Sequence, residues 1–241
     1  MSYWTKIIQG LIHFNEKIVF YPRLANFYKK ELNKPNLKII DVGANRGQSI
    51  DFFLKIQPNA TIFAFEPNLA LFDLLKNKYS KNSKIHLFNL GVSNANGELL
   101  FNENIMDETS SFEELNVDSK YLKQKAKILN VSVKNIIKKK YLVKTITLQK
   151  FLEENPGNHF DILKIDVEGH ELSCLEGLFN SNSNILPINY IQLESHSDDM
   201  YIKNHNQHEV NQLLLKNNFE KISEIKHGFG DFTDMIYKYH R

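Results

Sequence analysis

The residues best suited to bind a ligand form the run Asp41-Val42-Gly43-Ala44-Asn45-Arg46-Gly47, which directly follows the apolar pair Ile39-Ile40. Glycines at a strand-to-helix turn let the backbone approach a ligand closely, and the N-terminus of the following helix favours polar or anionic groups. The two glycines are spaced Gly-x-x-x-Gly, which differs from the Gly-x-Gly-x-x-Gly fingerprint of dinucleotide-binding folds. This spacing predicts a ligand-binding turn and disfavours a nicotinamide-dependent dehydrogenase.

A second acidic position, Glu66-Pro67, follows the apolar run Thr61-Ile62-Phe63-Ala64-Phe65. An acid at the end of the second strand of a nucleotide-binding fold accepts hydrogen bonds from the hydroxyls of a ribose. The glycine turn followed by this acid predicts that the chain binds a cofactor containing a nucleoside.

Polar residues also follow the later strands that the sequence predicts. In an open α/β sheet, ligands bind beyond the carboxyl ends of the strands. We therefore expect one site made of the groups at five strand ends, which are Asp41, Glu66, Gly91 to Ser93, Asp166 to Glu168, and Glu194 to His196.

The most polar of these strand ends is Lys164-Ile165-Asp166-Val167-Glu168-Gly169-His170-Glu171. We expect Asp166 to face the cleft and Glu168 to face a different partner, either the start of the next helix or the substrate. Glu171 and His170 fall in the first turn of that helix, where an acid is favoured by the helix dipole alone. His170 is therefore expected either to have a structural role or to contact the substrate.

Length and composition bound the class of protein. At 241 residues the chain is long enough for one full α/β domain, and its net charge of +2 argues against a globally basic nucleic-acid binder. Cys174 is the only cysteine, so no intramolecular disulfide forms and a reducing compartment is the simpler location. With neither a signal peptide nor a membrane-spanning apolar run in the sequence, we expect a cytoplasmic protein.

Residues 1–36 are predicted to form an N-terminal amphipathic helical segment. Apolar residues from Ile7 to Val19 recur at helical spacing among charged ones. We expect this segment to pack on the domain or to cover the substrate site as a lid. Its aromatic residues also leave open a peripheral contact with a membrane surface; they are Trp4, Phe14, Phe20 and Tyr21.

From residue 37 to residue 241, strands and helices alternate, which predicts a single α/β domain with a doubly wound, mostly parallel sheet. Strands are expected at 37–42, 61–65, 85–90, 143–147, 160–166 and 188–194. Helices are expected at 47–56, 68–79, 148–154, 171–179 and 209–217. Two closing strands, 219–225 and 233–239, predict a terminal antiparallel hairpin.

A lysine-rich insertion, about residues 104–142, interrupts this alternation. Just before it, Asn96-Gly97 predicts a hairpin turn with a returning strand over 98–101. From Ser119 to Leu152 there are ten lysines and no acid. Apolar residues at helical spacing from Leu122 to Ile137 predict a helical insertion with one basic face. That face is either simply solvated or a landing surface for a phosphorylated or membrane-bound substrate.

Several motifs together resemble the FkbM family of S-adenosylmethionine (SAM)-dependent methyltransferases, a part of the class I methyltransferase superfamily. The motifs are residues 41–47, Phe65-Glu66-Pro67, the stretch from Asn89 to Gly97, Thr109-Ser110-Ser111-Phe112, Ile146-Thr147-Leu148, and the run from Lys164 to Glu171. The resemblance implies a Rossmann-like class I fold. It also implies transfer of a methyl group, usually to oxygen, on sugars, glycans or secondary metabolites. The lysine-rich insertion departs from the pattern.

The resemblance implies a role for individual residues as well. The methionine end of SAM would be lined by Asp41, Gly43, Ala44, Asn45 and Gly47. The ribose would be held by Glu66, beside Pro67, and the adenine would lie beside Gly91, Val92 and Ser93. Ser110 and Ser111 would lie near the mouth of the site, on the substrate side. From its position in the sequence, His170 is our further candidate for contact with the substrate.

Methyl transfer to a sugar hydroxyl needs a base that withdraws the proton as attack proceeds. The best candidates by position are Asp166 and His196, followed by Glu168 and Glu194. A catechol-type methyltransferase instead uses a divalent metal ion, for which Asp166, Glu194 and His196 offer suitable ligand atoms. We expect SAM as the cofactor and no metal, with the divalent ion as the alternative.

The expected acceptor is a small molecule or a glycan, phosphorylated or lipid-linked in one interpretation, and nucleic acid is not expected. Two rival functions remain. One is an RNA ribose 2′-O-methyltransferase, which the lysine stretch would serve. The other is a non-catalytic binding subunit with a SAM-binding fold, which the intact Gly43, Gly47 and Glu66 disfavour. A nucleobase amino-methyltransferase is disfavoured because Asp166-Val167-Glu168-Gly169 lacks the Asp/Asn-Pro-Pro-aromatic element of that class.

Overall fold

A computed structural model of the chain describes residues 16–32, 34–180, 187–196, 199–202, 207–228 and 232–240. Its strands are β1 Lys38–Val42, β2 Thr61–Phe65, β3 Ile85–Phe88, β4 Gly91–Val92, β5 Gly97–Asn104, β6 Ile137–Ile146, β7 Phe160–Ile165, β8 Ile188–His196, β9 Phe219–Lys226 and β10 Phe232–Tyr239. Its α-helices are α1 Tyr21–Glu31, α2 Gln48–Ile56, α3 Leu69–Lys78, α4 Lys120–Leu129, α5 Leu148–Glu154, α6 Glu171–Phe179 and α7 Gln207–Lys216.

Among the described residues, a seven-stranded sheet has the spatial order β3-β2-β1-β7-β8-β10-β9. In this sheet the strands β3, β2, β1, β7 and β8 run parallel to one another, and β10 is antiparallel to both β8 and β9. The order reverses between β1 and β7, so the crevice at their carboxyl ends is the expected ligand site of an open α/β sheet. The predicted doubly wound, mostly parallel sheet with a terminal antiparallel pair is therefore confirmed.

The central strands form because their apolar residues are buried on both faces of the sheet. Ile39 and Ile40 of β1 point to opposite faces and are both fully buried, and Ile162 and Leu163 of β7 repeat this pattern. Continuous apolar runs of this kind are typical of parallel strands covered by helices on both sides. Asn68 caps the start of α3, since its Oδ1 accepts hydrogen bonds from the amides of Ala70 and Leu71.

The N-terminal helix α1 packs beside the end of the sheet where β8 and β10 lie. Its Leu24 and Tyr28 are buried, and the Tyr28 hydroxyl donates a hydrogen bond to Gln192 Oε1 on β8. The Tyr190 hydroxyl of β8 donates to Glu31 Oε2 at the helix end, at 3.1 Å. The predicted helical residues before Glu16 lie outside the described residues. No helix that the structure describes has the length and apolar character needed to cross a membrane.

A small second sheet has the spatial order β4-β6-β5. It corrects the predicted hairpin and, because β6 lies in the lysine-rich insertion, part of the predicted helix there. The hairpin predicted at Asn96-Gly97 is wrong: β5 does not return along the preceding strand but pairs antiparallel with β6, further along the chain, in the register Gly97↔Thr145. The local turn signal was overridden because Phe101 and Val143 bury their side chains in this ladder.

The lysine-rich insertion is only partly helical. The predicted helix is confirmed over α4, whose Leu122, Ala126 and Leu129 are buried, but it ends at Asn130 in the left-handed conformation. The helical continuation to Ile137 is wrong, because the chain enters the strand β6 at that residue. Consequently Lys138, Lys139 and Lys140 lie on a strand and not on a helix face.

Candidate functional site

A cavity of about 390 Å³ opens at the carboxyl ends of β1, β2, β7 and β8. Most of the predicted site residues line it, and these are Gly43, Ala44, Asn45, Glu66, Pro67, Gly91, Val92, Ser110, Ser111, Asp166, Glu168 and Glu194. One side, here called the glycine wall, is made by Gly43, Ala44, Asn45, Glu66 and Gly91. The other side, here called the carboxylate wall, is made by Asp166, Glu168, Glu194, His227 and Asp234.

Gly43 is required at its position for two independent reasons. Its φ of +85° is a conformation that residues with a side chain rarely adopt. A Cβ added there would also lie 1.9 Å from the carbonyl oxygen of Asp166, which is closer than any real contact. The turn after β1 is therefore pressed against the end of β7, and this contact brings the two walls together.

Glu66 is held by backbone amides at the base of the glycine wall. Its Oε2 accepts from the Asn45 amide at 2.7 Å, and its Oε1 accepts from the Asn68 amide at 2.8 Å. Burial raises the pKa of this carboxyl to about 7, although the two amide hydrogen bonds oppose that shift. The side chain is fixed in place and takes up or releases a proton near neutral pH.

Two residues predicted to line the cofactor lie beneath the cavity surface instead. Asp41 is fully buried and accepts a hydrogen bond from the Ser49 hydroxyl, and its burial raises the pKa of its carboxyl. Gly47 begins α2 in the left-handed conformation, and a Cβ there would lie 2.4 Å from the Tyr79 hydroxyl oxygen. Both residues support the glycine turn from below.

Lys164 is a buried cation between the two walls. Its Nζ lies 3.1 Å from Asp166 Oδ2 and 3.6 Å from Asp41 Oδ1. Burial alone would lower the pKa of Lys164, but these two carboxylates raise it above its ordinary value. The ion pair with Lys164 fixes the position of the Asp166 carboxylate at the cavity.

Asp166 and Glu168 bond different partners, as predicted: Asp166 Oδ2 lies 3.1 Å from Lys164 Nζ, and Glu168 Oε2 accepts from the Tyr201 hydroxyl at 3.1 Å. Both side chains nevertheless line the cavity. One carboxylate oxygen from each of Asp166, Glu168 and Glu194 lies within 4.8 Å of the others. Glu168 has a φ of +56°, which turns the chain just beyond β7. Residues two apart in an extended segment point to the same side in any case. Three acids therefore converge at the cavity.

Ser93 and His170 lie behind the cavity and do not line it. His170 Nε2 is 2.9 Å from the Ser93 hydroxyl, and its Nδ1 is 2.6 Å from Glu113 Oε1. All three residues are buried, so this chain of hydrogen bonds joins α6 to β4 and to the segment after β5. The fourth predicted catalytic residue, His196, ends β8, and its side chain lies outside the described residues.

His227, a histidine that was not predicted as a site residue, lies in the carboxylate wall. Its Nε2 is 2.8 Å from Asp234 Oδ1 and 3.8 Å from Glu194 Oε1. Asp234 is fixed in turn by Gln192, whose Nε2 donates to Asp234 Oδ2. Burial alone would lower the pKa of His227, but the hydrogen bond and charge of Asp234 raise it.

The signal for this cluster was an acid within a predicted apolar strand. Asp234 is buried in β10 and lies directly opposite Glu194 in the antiparallel register of β10 and β8. The predicted hairpin did not reveal that β10, and not β9, is the neighbour of β8. Without that neighbour relation, nothing in the sequence links residue 234 to residue 194.

The N-terminal segment closes the cavity beside the carboxylate wall. Glu16, Phe20, Tyr21 and Leu24 all line it. The Phe20 ring stacks on the His227 ring with their centroids 3.8 Å apart. The stacking holds the turn before α1 over the histidine, so part of the cavity lining comes from the segment that precedes β1.

Two residues that line the cavity each carry a buried side-chain oxygen without a hydrogen-bond partner among the described residues: Asn45 Oδ1 and Asp107 Oδ1. Asp107 begins a short 3₁₀ turn, Asp107–Thr109, in the segment between β5 and α4. Its other carboxylate oxygen, Oδ2, accepts a hydrogen bond from the Arg46 guanidinium. The segment after β5 is thereby tied to the glycine turn.

This sheet order, with a glycine turn after β1 and an acid after β2, is the architecture of the class I methyltransferases. A solved structure supports that fold: magnesium protoporphyrin IX methyltransferase from Synechocystis with bound SAM. It has a TM-score of 0.51 and 11% identity, covering 98% of this chain and 83% of that one. The methyltransferase FkbM domain model matches residues 41–221. The chain belongs to the FkbM methyltransferase domain family.

Two curated relatives carry more specific names. A 2-O-methyltransferase from Sinorhizobium fredii is 31% identical over 70 residues, which is 29% of this chain and 29% of that protein. A hexuronic acid methyltransferase from Haloferax volcanii is 27% identical over 158 residues, which is 65% of this chain and 55% of that protein. The matched regions therefore span at most about half the length of these relatives.

Proposed function

We propose that the protein transfers a methyl group from SAM to a hydroxyl group of a sugar, in a glycan, a nucleotide sugar or a secondary metabolite. The observation that carries the proposal is the meeting of two walls in one cavity. The glycine wall presents a close-packed turn and Glu66, and the carboxylate wall presents acids and a histidine in the same cavity. The first is suited to a nucleoside cofactor and the second to a hydroxyl acceptor.

The residues of the glycine wall fit SAM. Glu66 is positioned to accept hydrogen bonds from the ribose, and the tight turn at Gly43 leaves room for the methionine end. Two buried oxygens without partners among the described residues, Asn45 Oδ1 and Asp107 Oδ1, are acceptors that a ligand can satisfy. Ala44, Pro67, Gly91 and Val92 complete this side. When bound, SAM supplies an activated methyl group on a sulfonium, and the protein aligns the acceptor with it.

The carboxylate wall fits an acceptor that donates hydrogen bonds. Hydroxyl groups of a sugar donate to carboxylates, and the rings of Tyr21 and Phe232 in the same cavity offer apolar faces for the C–H groups of a pyranose. Asp166 and His196 remain our candidates for the base, with Glu168 and Glu194 behind them. We add His227 to these candidates because Asp234 orients its ring. In catalytic triads, a third residue orients the base in the same way.

The convergence of Asp166, Glu168 and Glu194 also suits a divalent ion, as in catechol-type enzymes. The metal-free reaction and the metal-assisted reaction differ in a simple test. In the metal-free reaction, activity persists in EDTA. In the alternative, EDTA abolishes activity and Mg²⁺ or Mn²⁺ restores it. We propose the metal-free reaction, because Lys164 already neutralises part of the negative charge at this position.

Calorimetry with S-adenosylhomocysteine (SAH) and NAD tests the cofactor, and binding of NAD without SAH would contradict the proposal. Glu66→Ala is expected to weaken SAH binding by about 1–3 kcal/mol, because charge-assisted bonds to the ribose are lost. Transfer of labelled methyl from SAM to nucleotide sugars, oligosaccharides and lipid-linked glycans tests the acceptor. RNA is included in this screen, and transfer to RNA alone would favour the rival 2′-O-methyltransferase.

A further inference from the structure

The most specific unexplained feature of the cavity is the pair of unsatisfied oxygens, Asn45 Oδ1 and Asp107 Oδ1. A buried polar atom without a hydrogen bond costs free energy, so native structures leave few of them without a ligand or water. Both atoms belong to residues that line the cavity, and both are acceptors only. A ligand group that satisfies either atom must therefore be a hydrogen-bond donor.

The charges of the neighbouring residues limit which hydrogen-bond donor can bind here. Asp107 is an acid placed close enough to Glu66 that its charge contributes to raising the pKa of Glu66. The carboxyl groups of Asp107 and Glu66, both near the glycine turn, disfavour binding of a ligand that places phosphates there. They favour a cation instead. The ligand proposed for this turn carries one such group, the α-ammonium of its methionine end.

Arg46 keeps Asp107 in position. Its guanidinium donates to Asp107 Oδ2, while its backbone carbonyl accepts from Lys78 Nζ at 3.0 Å. The backbone amide of Arg46 is also bonded to Gln48 Oε1 at 3.2 Å, so the residue is held on both sides. The pair of Arg46 and Asp107 joins the glycine turn to the segment after β5, which belongs to the insertion and not to the parallel sheet.

We propose that Asp107 is a cofactor-binding residue whose Oδ1, together with Asn45 Oδ1, accepts hydrogen bonds from the α-ammonium of SAM, and that Arg46 is its positioning residue. The proposal rests on the proposed SAM-binding function and adds a specific contact to it. The insertion thereby contributes to cofactor binding, although its sequence carries no feature of a nucleotide site. Asp107 therefore adds no binding affinity for a ligand that lacks the α-amine.

The test is calorimetry with SAH and with the deaminated analogue of SAH, in which a hydrogen replaces the α-amine. The wild-type protein is expected to bind SAH about 10- to 100-fold more tightly than the analogue, as charge-assisted hydrogen bonds to one ammonium predict. In Asp107→Asn this difference is expected to shrink to about threefold or less, while affinity for the analogue changes little. Arg46→Gln is expected to reduce the difference partly, and Arg46→Lys to retain more of it.

Asp118→Asn is the matched control, since Asp118 is an exposed acid of the same insertion whose carboxylate pairs with Lys123. It is expected to leave both affinities unchanged. Equal binding of SAH and the analogue by the wild type would overturn the proposal, because water then satisfies the two oxygens. An equal loss for both ligands in Asp107→Asn would overturn it too, as that is the result of a purely structural role. Failure of the wild type to bind SAH at all would instead contradict the proposed function.

Discussion

The two walls of the cavity are built in different ways. The glycine wall comes from short sequence motifs that follow β1, β2 and β3, and it works largely through backbone groups and one carboxylate, Glu66. The carboxylate wall is assembled from side chains of β8 and β10 and of the segment after β7, with a histidine that follows β9. A backbone turn is specified by neighbouring residues, whereas a side-chain cluster depends on which strands become neighbours.

The match to the family model covers one wall completely and the other only in part. It spans residues 41–221, which include the whole glycine wall and also Asp166, Glu168 and Glu194 of the carboxylate wall. It leaves out Phe20, His227 and Asp234, which meet at the other side of the cavity. This difference leads us to expect that the glycine wall carries what family members share, and that the segments outside the match adapt the carboxylate wall to the acceptor of this protein.

The sharpest test of this division is to disable the carboxylate wall alone. Asp166→Asn and His227→Gln are each expected to lower kcat by about 10²- to 10⁴-fold if the residue acts as the base, with SAH affinity nearly intact. His196→Gln is measured in parallel because its position at the end of β8 makes it the competing candidate. Steady-state kinetics with the acceptor found in the screen give the comparison.

The control for these variants is His159→Gln, a histidine bonded to Asn189 at the opposite end of the sheet from the cavity. It is expected to keep the activity of the parent. If neither Asp166→Asn nor His227→Gln changes kcat by more than about threefold, the base lies elsewhere and Glu168 is the next residue to test.

The glycine wall is tested by adding a single methyl group. Gly43→Ala is expected to weaken SAH binding by about 100-fold or more, because the new Cβ forces the turn away from the Asp166 carbonyl. Gly157→Ala is the matched control, since Gly157 has a similar φ of +76° but a Cβ added there would meet nothing within 4 Å. It is expected to lower the melting temperature slightly and to leave SAH affinity unchanged. Comparable affinity losses in the two variants would show that strain, and not the contact, is responsible.

The protonation of Glu66 gives a smaller effect with a defined sign. Its pKa is raised to about 7, so the free protein gains a proton there as the pH falls below neutrality. If only the carboxylate accepts the ribose hydroxyls, SAH affinity falls by up to about tenfold per pH unit below about pH 7 and is constant above about pH 8. Calorimetry from about pH 5.5 to about pH 8.5 measures this profile. Glu66→Gln is expected to bind weakly and to lose the pH dependence, and a parallel profile in that variant would assign the titration to another group.

The basic residues outside both walls are expected to have the smallest effect. Replacing Lys138, Lys139 and Lys140 by Ser is expected to raise the acceptor KM by up to about fivefold if they contact an anionic carrier, since exposed charges are worth little individually. SAH affinity is expected to stay unchanged. Lys55, Lys76 and Lys81, which are exposed and lie outside the insertion, provide the matched triple control. Equal KM values for the parent and the strand variant at low and high salt would favour a solvated surface without a partner.

Much of the fold could be predicted because its signals are local. The strand 61–65 and the helices 148–154 and 171–179 match the structure residue by residue, since apolar runs and caps lie within a few positions of each other. The insertion was harder to predict because β6 begins where helical spacing still continues. Only its long-range pairing with β5 decides between the two structures.

The sequence by itself determined the class of fold, the glycine turn at residues 43–47 and the acid at Glu66, because these depend on local backbone conformation and on the succession of strands and helices along the chain. Only the tertiary structure decided the contents of the carboxylate wall. Because β10 is the neighbour of β8, Asp234 lies opposite Glu194, and His227 lies close to both acids. These contacts join residues far apart along the chain. Their energies depend on burial and mutual charge, which no local pattern of residues specifies.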